Sequence, residues 1–168
     1  MATNLQFIKS ASGSSVSSLD VTDCFNENYD VYAIFVRAGK INSGNADMEA
    51  RLLDNSNTVI STSTYDFAMQ DLNMASSFTE QRGTNQSQLQ NVGISGTANG
   101  TDFTMYVFNP NNASFTFFTN QMGGIASSTN RGRKAIYVEK STTQCKGIRF
   151  FYSSVTGNID VAVYGVKG

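Results

Sequence analysis

The feature that most constrains this chain is a succession of short strand-like segments broken by turn chemistry, with no convincing amphipathic helix among them. Asp30–Arg37 is apolar on both alternating sets, the pattern of a central strand buried on both faces. Asp47–Leu53 alternates: Met48, Ala50 and Leu52 share one face, Asp47, Glu49 and Arg51 the other. Asp54-Asn55-Ser56-Asn57 then reads as a turn, because Asn and Asp tolerate left-handed dihedrals and cap their own backbone. Thr58–Thr62 follows as the returning strand. Asp102–Phe108 and Ser114–Thr119 flank a second turn, Asn109-Pro110-Asn111-Asn112, with Phe103, Met105 and Val107 facing one way and Tyr106 and Phe108 the other. Leu5–Lys9, Val16–Val21, Lys134–Glu139, Gly147–Tyr152 and Asn158–Val166 add further strands. Between them, Tyr65–Met74 fits either strand or short helix, and Ser76–Gly100 reads as a long polar segment with one strand at Gln88–Ile94.

Composition supports the same class. Charged residues are 15% of the chain, below the quarter usual for soluble domains. Polarity comes instead from 20 Ser, 16 Thr and 17 Asn, which weaken helix interiors by competing for backbone hydrogen bonds. With 12 Phe and 7 Tyr added, the expectation is an all-β, antiparallel two-sheet β-sandwich of jelly-roll type with about ten strands. No internal repeat or linker divides the chain, so residues 1–168 read as a single β-sandwich domain.

Several function classes are disfavoured. Histidine is absent, which removes the commonest general acid–base, the Ser-His and Cys-His nucleophile pairs and the main catalytic zinc ligand. Gly123-Gly124 and Arg131-Gly132-Arg133 lack the spacing of a phosphate loop. Asp20/Asp23 and Asp47/Glu49 are the available carboxylate pairs, and their placement favours structural roles over glycoside hydrolysis. The expectation is therefore a non-enzymatic protein with no catalytic residues, no metal and no cofactor. A net charge of −1 gives no field for nucleic acid, and no run approaches the roughly 18 apolar residues of a membrane span. Met-Ala-Thr-Asn-Leu-Gln carries no basic segment before an apolar run, so synthesis in the cytoplasm with free thiols at Cys24 and Cys145 is expected.

The charge is unevenly distributed. Residues 1–80 carry ten acids and four bases, and residues 81–168 three acids and eight bases. Arg131, Arg133, Lys134, Lys140, Lys146 and Arg149 make the segment 131–149 the candidate partner contact, against the acidic half of a neighbouring copy or another acidic surface. A solvated strand-and-loop face is the plainer account of the same residues. Tyr29, Tyr65, Phe78, Phe115 and Phe118, in or near expected loops, are candidates for stacking on a glycan.

Both ends of the chain carry a resemblance. Leu5-Gln6-Phe7-Ile8-Lys9-Ser10 and Asn28-Tyr29-Asp30-Val31-Tyr32, followed in order by Asn45-Ala46-Asp47 and Tyr65-Asp66, resemble the opening of small virion structural proteins of tailed bacteriophages, notably of cyanobacterial and marine hosts. The closing stretch Gly157–Lys167 is similar to their last strand, Gly-x-Ile-x-x-x-x-Tyr-Gly. The short Arg51–Asn57 hairpin departs from relatives that carry a Gly-rich insert there. The resemblance implies a virion component of sandwich fold, made in the host cytoplasm: a capsid decoration or cement protein touching the major capsid protein, or a tail- or fibre-associated module. Its partners would be other virion proteins and further copies in a homo-oligomer, with a host-surface glycan as the alternative ligand. A carbohydrate-active enzyme is the third reading and would need two inward-facing carboxylates.

Overall fold

The computed structural model describes residues 4–75, 78–126 and 129–167. Twelve strands are present among them: β1 (Leu5–Val16), β2 (Ser18–Val21), β3 (Val31–Ile41), β4 (Asn45–Asp54), β5 (Tyr65–Asn73), β6 (Thr79–Gln86), β7 (Leu89–Gly96), β8 (Thr101–Phe108), β9 (Thr116–Ala126), β10 (Thr129–Glu139), β11 (Cys145–Tyr152) and β12 (Gly157–Val166). They form an eight-stranded sheet, ordered β1-β12-β3-β8-β9-β10-β5-β6, and a four-stranded sheet, ordered β2-β11-β4-β7, with antiparallel pairing throughout. The all-β antiparallel sandwich is as expected. The division is not that of a jelly roll, whose eight strands make two Greek keys, and the strand count exceeds ten. Tyr65–Asn73 is a strand, the strand expected at Gln88–Ile94 is β7, and the polar stretch before it holds a further strand, β6. Residues 76 and 77 of that reading lie outside the described residues. The expected return strand at Thr58–Thr62 reduces to one bridge, Leu53 to Val59.

The core lies between the sheets. Tyr32, Ile34, Val36, Phe103, Met105, Val107, Phe118, Val161 and Val163 point inward from the large sheet and meet Met48, Leu52, Leu89, Ile148 and Phe150 of the small one. Full burial of such a side chain stabilises by about 1.5–3 kcal/mol. The turns form as their chemistry requires. Asp54 accepts hydrogen bonds from the backbone N–H groups of Ser56 and Thr58, and Asn57 and Asn109 take left-handed φ values of 59° and 58°.

Strand β7 is an edge of the small sheet, and its free carbonyls are covered from across the core. Tyr137 donates to the Gln90 carbonyl, Arg133 to that of Asn91 and Asn120 to that of Val92. Edges left bare invite pairing with other chains. This one is closed by side chains of β9 and β10.

The segments at the two ends of the sequence meet in space. Strand β1 pairs with β12, Tyr29 donates its hydroxyl proton to Gln6, and Phe7 packs edge-on against Tyr164. A Cβ at Gly165 would lie 2.6 Å from the Tyr29 ring, so only glycine lets that ring lie on β12. Asn28–Tyr32 and Tyr164-Gly165 are thus halves of one packing unit.

Candidate functional site: the outer face of the large sheet

Strand alternation gives the large sheet a second, outward face, and the small sheet lies only on the inner one. The antiparallel register aligns the outward side chains in rows across the strands. One row runs Ser10, Ala162, Phe35, Thr104, Gln121, Lys134, Gln70 and Glu80, from β1 to β6. Beside it run Phe7, Tyr164, Ala33, Tyr106, Thr119, Ile136, Ala68 and Arg82. Beyond that lie Leu5, Val166, Val31, Phe108, Phe117, Val138 and Asp66. On the opposite flank Asp160, Arg37, Asp102 and Gly123 form a charged margin.

These rows shape an open groove of about 1840 Å³ running across seven strands, from β12 to β6. Its exposed apolar groups are large: Phe35 is 41% exposed, Tyr106 40% and Ile136 61%, with Phe117 at 50% just outside the groove. Phe35 and Phe7 both pack edge-on against Tyr164, with ring centroids 5.6 Å apart in each pair, so part of this aromatic surface is ordered by its own contacts. The polar groups are idle. Gln70, Thr104, Thr119, Gln121 and Lys134 have no side-chain hydrogen-bond partner among the described residues. Space beside Gly123 is open, with nothing within 4 Å of where a Cβ would stand. Chemically the face offers flat apolar surface, rings and free amide and hydroxyl groups, a set suited to non-covalent contact.

The six cations expected to act together are divided between different surfaces. On β10, Lys134 points out into the groove and its neighbour Arg133 points in, 3% exposed. Arg133 donates to Asp71 at 2.9 Å, to Asp47 at 3.3 Å and to the Asn91 carbonyl at 2.7 Å. It is an internal tie between the sheets and cannot be a partner contact, since alternation along β10 places it on the opposite side from Lys134. Arg131 is half-buried near the start of β10, with its Nε buried and unpaired. Lys140 lies just beyond β10, paired with Asp66 at 2.9 Å and bonded to Asn85. The Asn85 backbone N–H, with Lys140, holds the Asp66 carboxyl below its ordinary pKa. Lys146 and Arg149 belong to β11 in the other sheet; Lys146 is exposed, and Arg149 makes a two-pronged pair with Asp20. That pairing raises the Arg149 pKa.

The carboxylates considered as catalytic pairs also have structural partners. Asp20 holds Arg149, Asp23 accepts from Asn57, Asp47 faces Arg133, and Glu49 accepts from Gln88 and Ser153. Of the aromatics considered for stacking, Tyr65 and Phe118 are buried and Tyr29 is half-buried; Phe78 and Phe115 are exposed. Sequence reasoning missed Phe7, Phe35, Tyr106, Phe117 and Ile136, because it searched the loops. The signal was the doubled apolar alternation of Asp30–Arg37, read as burial on both faces, and the aromatic residues Tyr106 and Phe108 opposite Phe103, Met105 and Val107 in Asp102–Phe108. The structure covers only one face.

Both cysteines are free and buried. Loss of hydration raises each thiol pKa to about 12, so neither is a reactive thiolate near neutral pH. The class defined so far is an antiparallel β-sandwich with one self-satisfied face and one open face. No known family model and no curated protein matches the chain.

Proposed function

We propose that this chain is a non-enzymatic structural protein of a tailed-phage virion, a capsid decoration or cement protein that acts by contact through the outer face of its large sheet. One observation carries the contact surface: a band of exposed apolar and aromatic side chains, Phe35, Tyr106, Phe117 and Ile136, left open across the large sheet. The phage assignment rests on the resemblance at the two ends of the chain, whose motifs pack together. Cementing needs no reaction, only buried apolar area and complementary polar groups. Cryo-electron microscopy of the parent particle tests the proposal. The chain should appear in the density with Phe35, Tyr106 and Ile136 covered by protein; density in which that face meets only solvent would overturn it.

A tail- or fibre-associated module for a host-surface glycan is the second reading, favoured by the idle Gln70, Gln121 and Thr104 beside exposed rings. Calorimetric titration of the protein with host-surface polysaccharide tests it. Binding abolished by Gly123→Trp, which fills the groove, supports this reading; absence of heat removes it.

A further inference from the structure

We infer that this chain forms a two-fold dimer by pairing the free edge of β6 antiparallel with β6 of a second copy, about an axis that passes beside Gln81 perpendicular to the large sheet. The two eight-stranded sheets then join edge to edge, and both open outer faces lie on the same side.

Three observations point to this edge and this occupant. The first is that β6 lacks what blunts the other edges. Strand β1 is bent by register shifts at Phe7/Lys9 and Gly13/Val16, with Ser15 at a φ of 55°. Strand β2 is four residues long, and β7 is closed by Tyr137, Arg133 and Asn120. Strand β6 pairs with β5 alone, and its residues 79–83 keep a regular register with no proline, lysine or bulge. The second is exposure. Thr79, Glu80, Gln81 and Arg82 are all exposed, and the side chains of Glu80 and Arg82 have no partner among the described residues. The third is charge register. A two-fold centred on a residue opposes positions of equal parity, so facing side chains share a face and outward backbone groups meet outward backbone groups. Centring on Gln81 sets Glu80 opposite Arg82 of the second copy, and Arg82 opposite its Glu80, both pairs on the outer face. An axis at Glu80 would oppose two carboxylates, and one at Arg82 two guanidinium groups. A slip of one residue would put facing side chains on opposite faces and lose the hydrogen bonds. The charges therefore select one register, and a pattern that complements itself selects a second copy.

Sedimentation velocity on the full-length protein over a micromolar to near-millimolar range is the test, with melting curves to check folding. Wild-type protein should dimerise, and less tightly at high salt. Arg82→Glu and Glu80→Arg each oppose like charges on both sides of the axis and should weaken dimerisation at least ten-fold while melting as wild type does. Either one carries the comparison if the other misfolds. Combining the two substitutions only exchanges the members of each pair, so the double variant should recover the dimer. Ile136→Thr, on the outer face away from β6, should leave it intact. Gln81→Cys adds a geometric test. The native thiols are buried, and the new ones face each other beside the axis with Cβ atoms about 4.5–5.5 Å apart, so a short bismaleimide should join two copies.

Wild-type protein monomeric at every concentration would overturn the inference. So would a dimer indifferent to Arg82→Glu and Glu80→Arg, a folded double variant that stays monomeric, or a dimer that Gln81→Cys does not cross-link. A dimer lost in Ile136→Thr but kept in Arg82→Glu forms through the outer face, and the β6 pairing falls. If the protein stays monomeric yet Arg82→Glu loses its place on the particle, the edge takes a strand from another virion protein and the second copy falls. A dimer with the expected charge rescue, and no density for the chain in the parent particle, leaves the inference standing and overturns the particle assignment.

Discussion

The outer faces of the two sheets have similar ingredients and use them differently. On the small sheet, polar side chains bind one another: Arg149 grips Asp20, Arg51 bonds Gln88 and the Ser87 carbonyl, and Gln88 and Ser153 both donate to Glu49. Even the aromatic there is engaged, with the Arg51 guanidinium 4.8 Å from the Phe151 ring centroid. On the large sheet, the side chains of Gln70, Gln121, Thr104 and Lys134 have no hydrogen-bond partner among the described residues, and Phe35, Tyr106 and Ile136 stand open. What separates the two faces is therefore not polarity. It is whether the groups have already satisfied one another.

The comparison is most sharply tested along β10, where inside and outside alternate residue by residue. Arg133→Ala should destabilise the fold by about 3–5 kcal/mol, because it leaves Asp71 buried without its counter-charge. Lys134→Ala, one residue along, should stay within about 0.5 kcal/mol. Urea unfolding of the two variants measures the difference; equal effects would mean that β10 is not divided between core and open face.

The interior between the faces should reveal itself in alkali. Burial raises the Cys24 and Cys145 thiols from 9.0 to about 12 and the Tyr32 hydroxyl from 10.0 to about 12. These groups ionise in the unfolded chain before they ionise in the native one, so above pH 9 the unfolded state binds fewer protons. Stability should be flat below pH 9 and fall as pH rises towards 12, by on the order of 1 kcal/mol per thiol at pH 10. Melting temperatures from pH 7 to 11 should show the fall, and Cys24→Ala with Cys145→Ala should shallow it relative to wild type. An unchanged slope would place the loss elsewhere.

A smaller effect is expected on the closed outer face. Arg51→Ala removes its bonds to Ser87 and Gln88 and its contact with Phe151, and should cost about 1–2 kcal/mol in urea without altering occupancy of the particle. Ile136→Thr, on the open face, should show the reverse, with stability near wild type and occupancy lowered. The same response from both variants would erase the distinction between the faces.

Much of the sandwich was legible before any coordinates. The alternation of Met48, Ala50 and Leu52 against Asp47, Glu49 and Arg51 fixes which side of β4 is buried, because side chains on a strand alternate with a period of two. The turn at 54–57 was legible because Asp and Asn carry their own capping groups. Strand β7 was legible as Gln88–Ile94, but β6 was not: Thr79–Gln86 is almost wholly polar, and what holds it is pairing with β5, a long-range partner that no local pattern encodes. Nor could spacing along the chain assign the cations. Segment 131–149 turns a corner after β10 and continues in the opposite sheet, so six near neighbours in sequence separate in space.

The sequence by itself determined the class of fold, the two turns and the fact that several strands carry apolar residues on both sides, since these follow from local periodicity and turn chemistry. Only the tertiary structure decided which of those apolar sides is covered. Four strands pack against eight on one face alone, so a pattern that reads as complete burial in Asp30–Arg37 leaves Phe35 at the surface, beside Tyr106 and Ile136 of neighbouring strands. Burial depends on what else the chain brings against a strand, and that is set by sheet order and register.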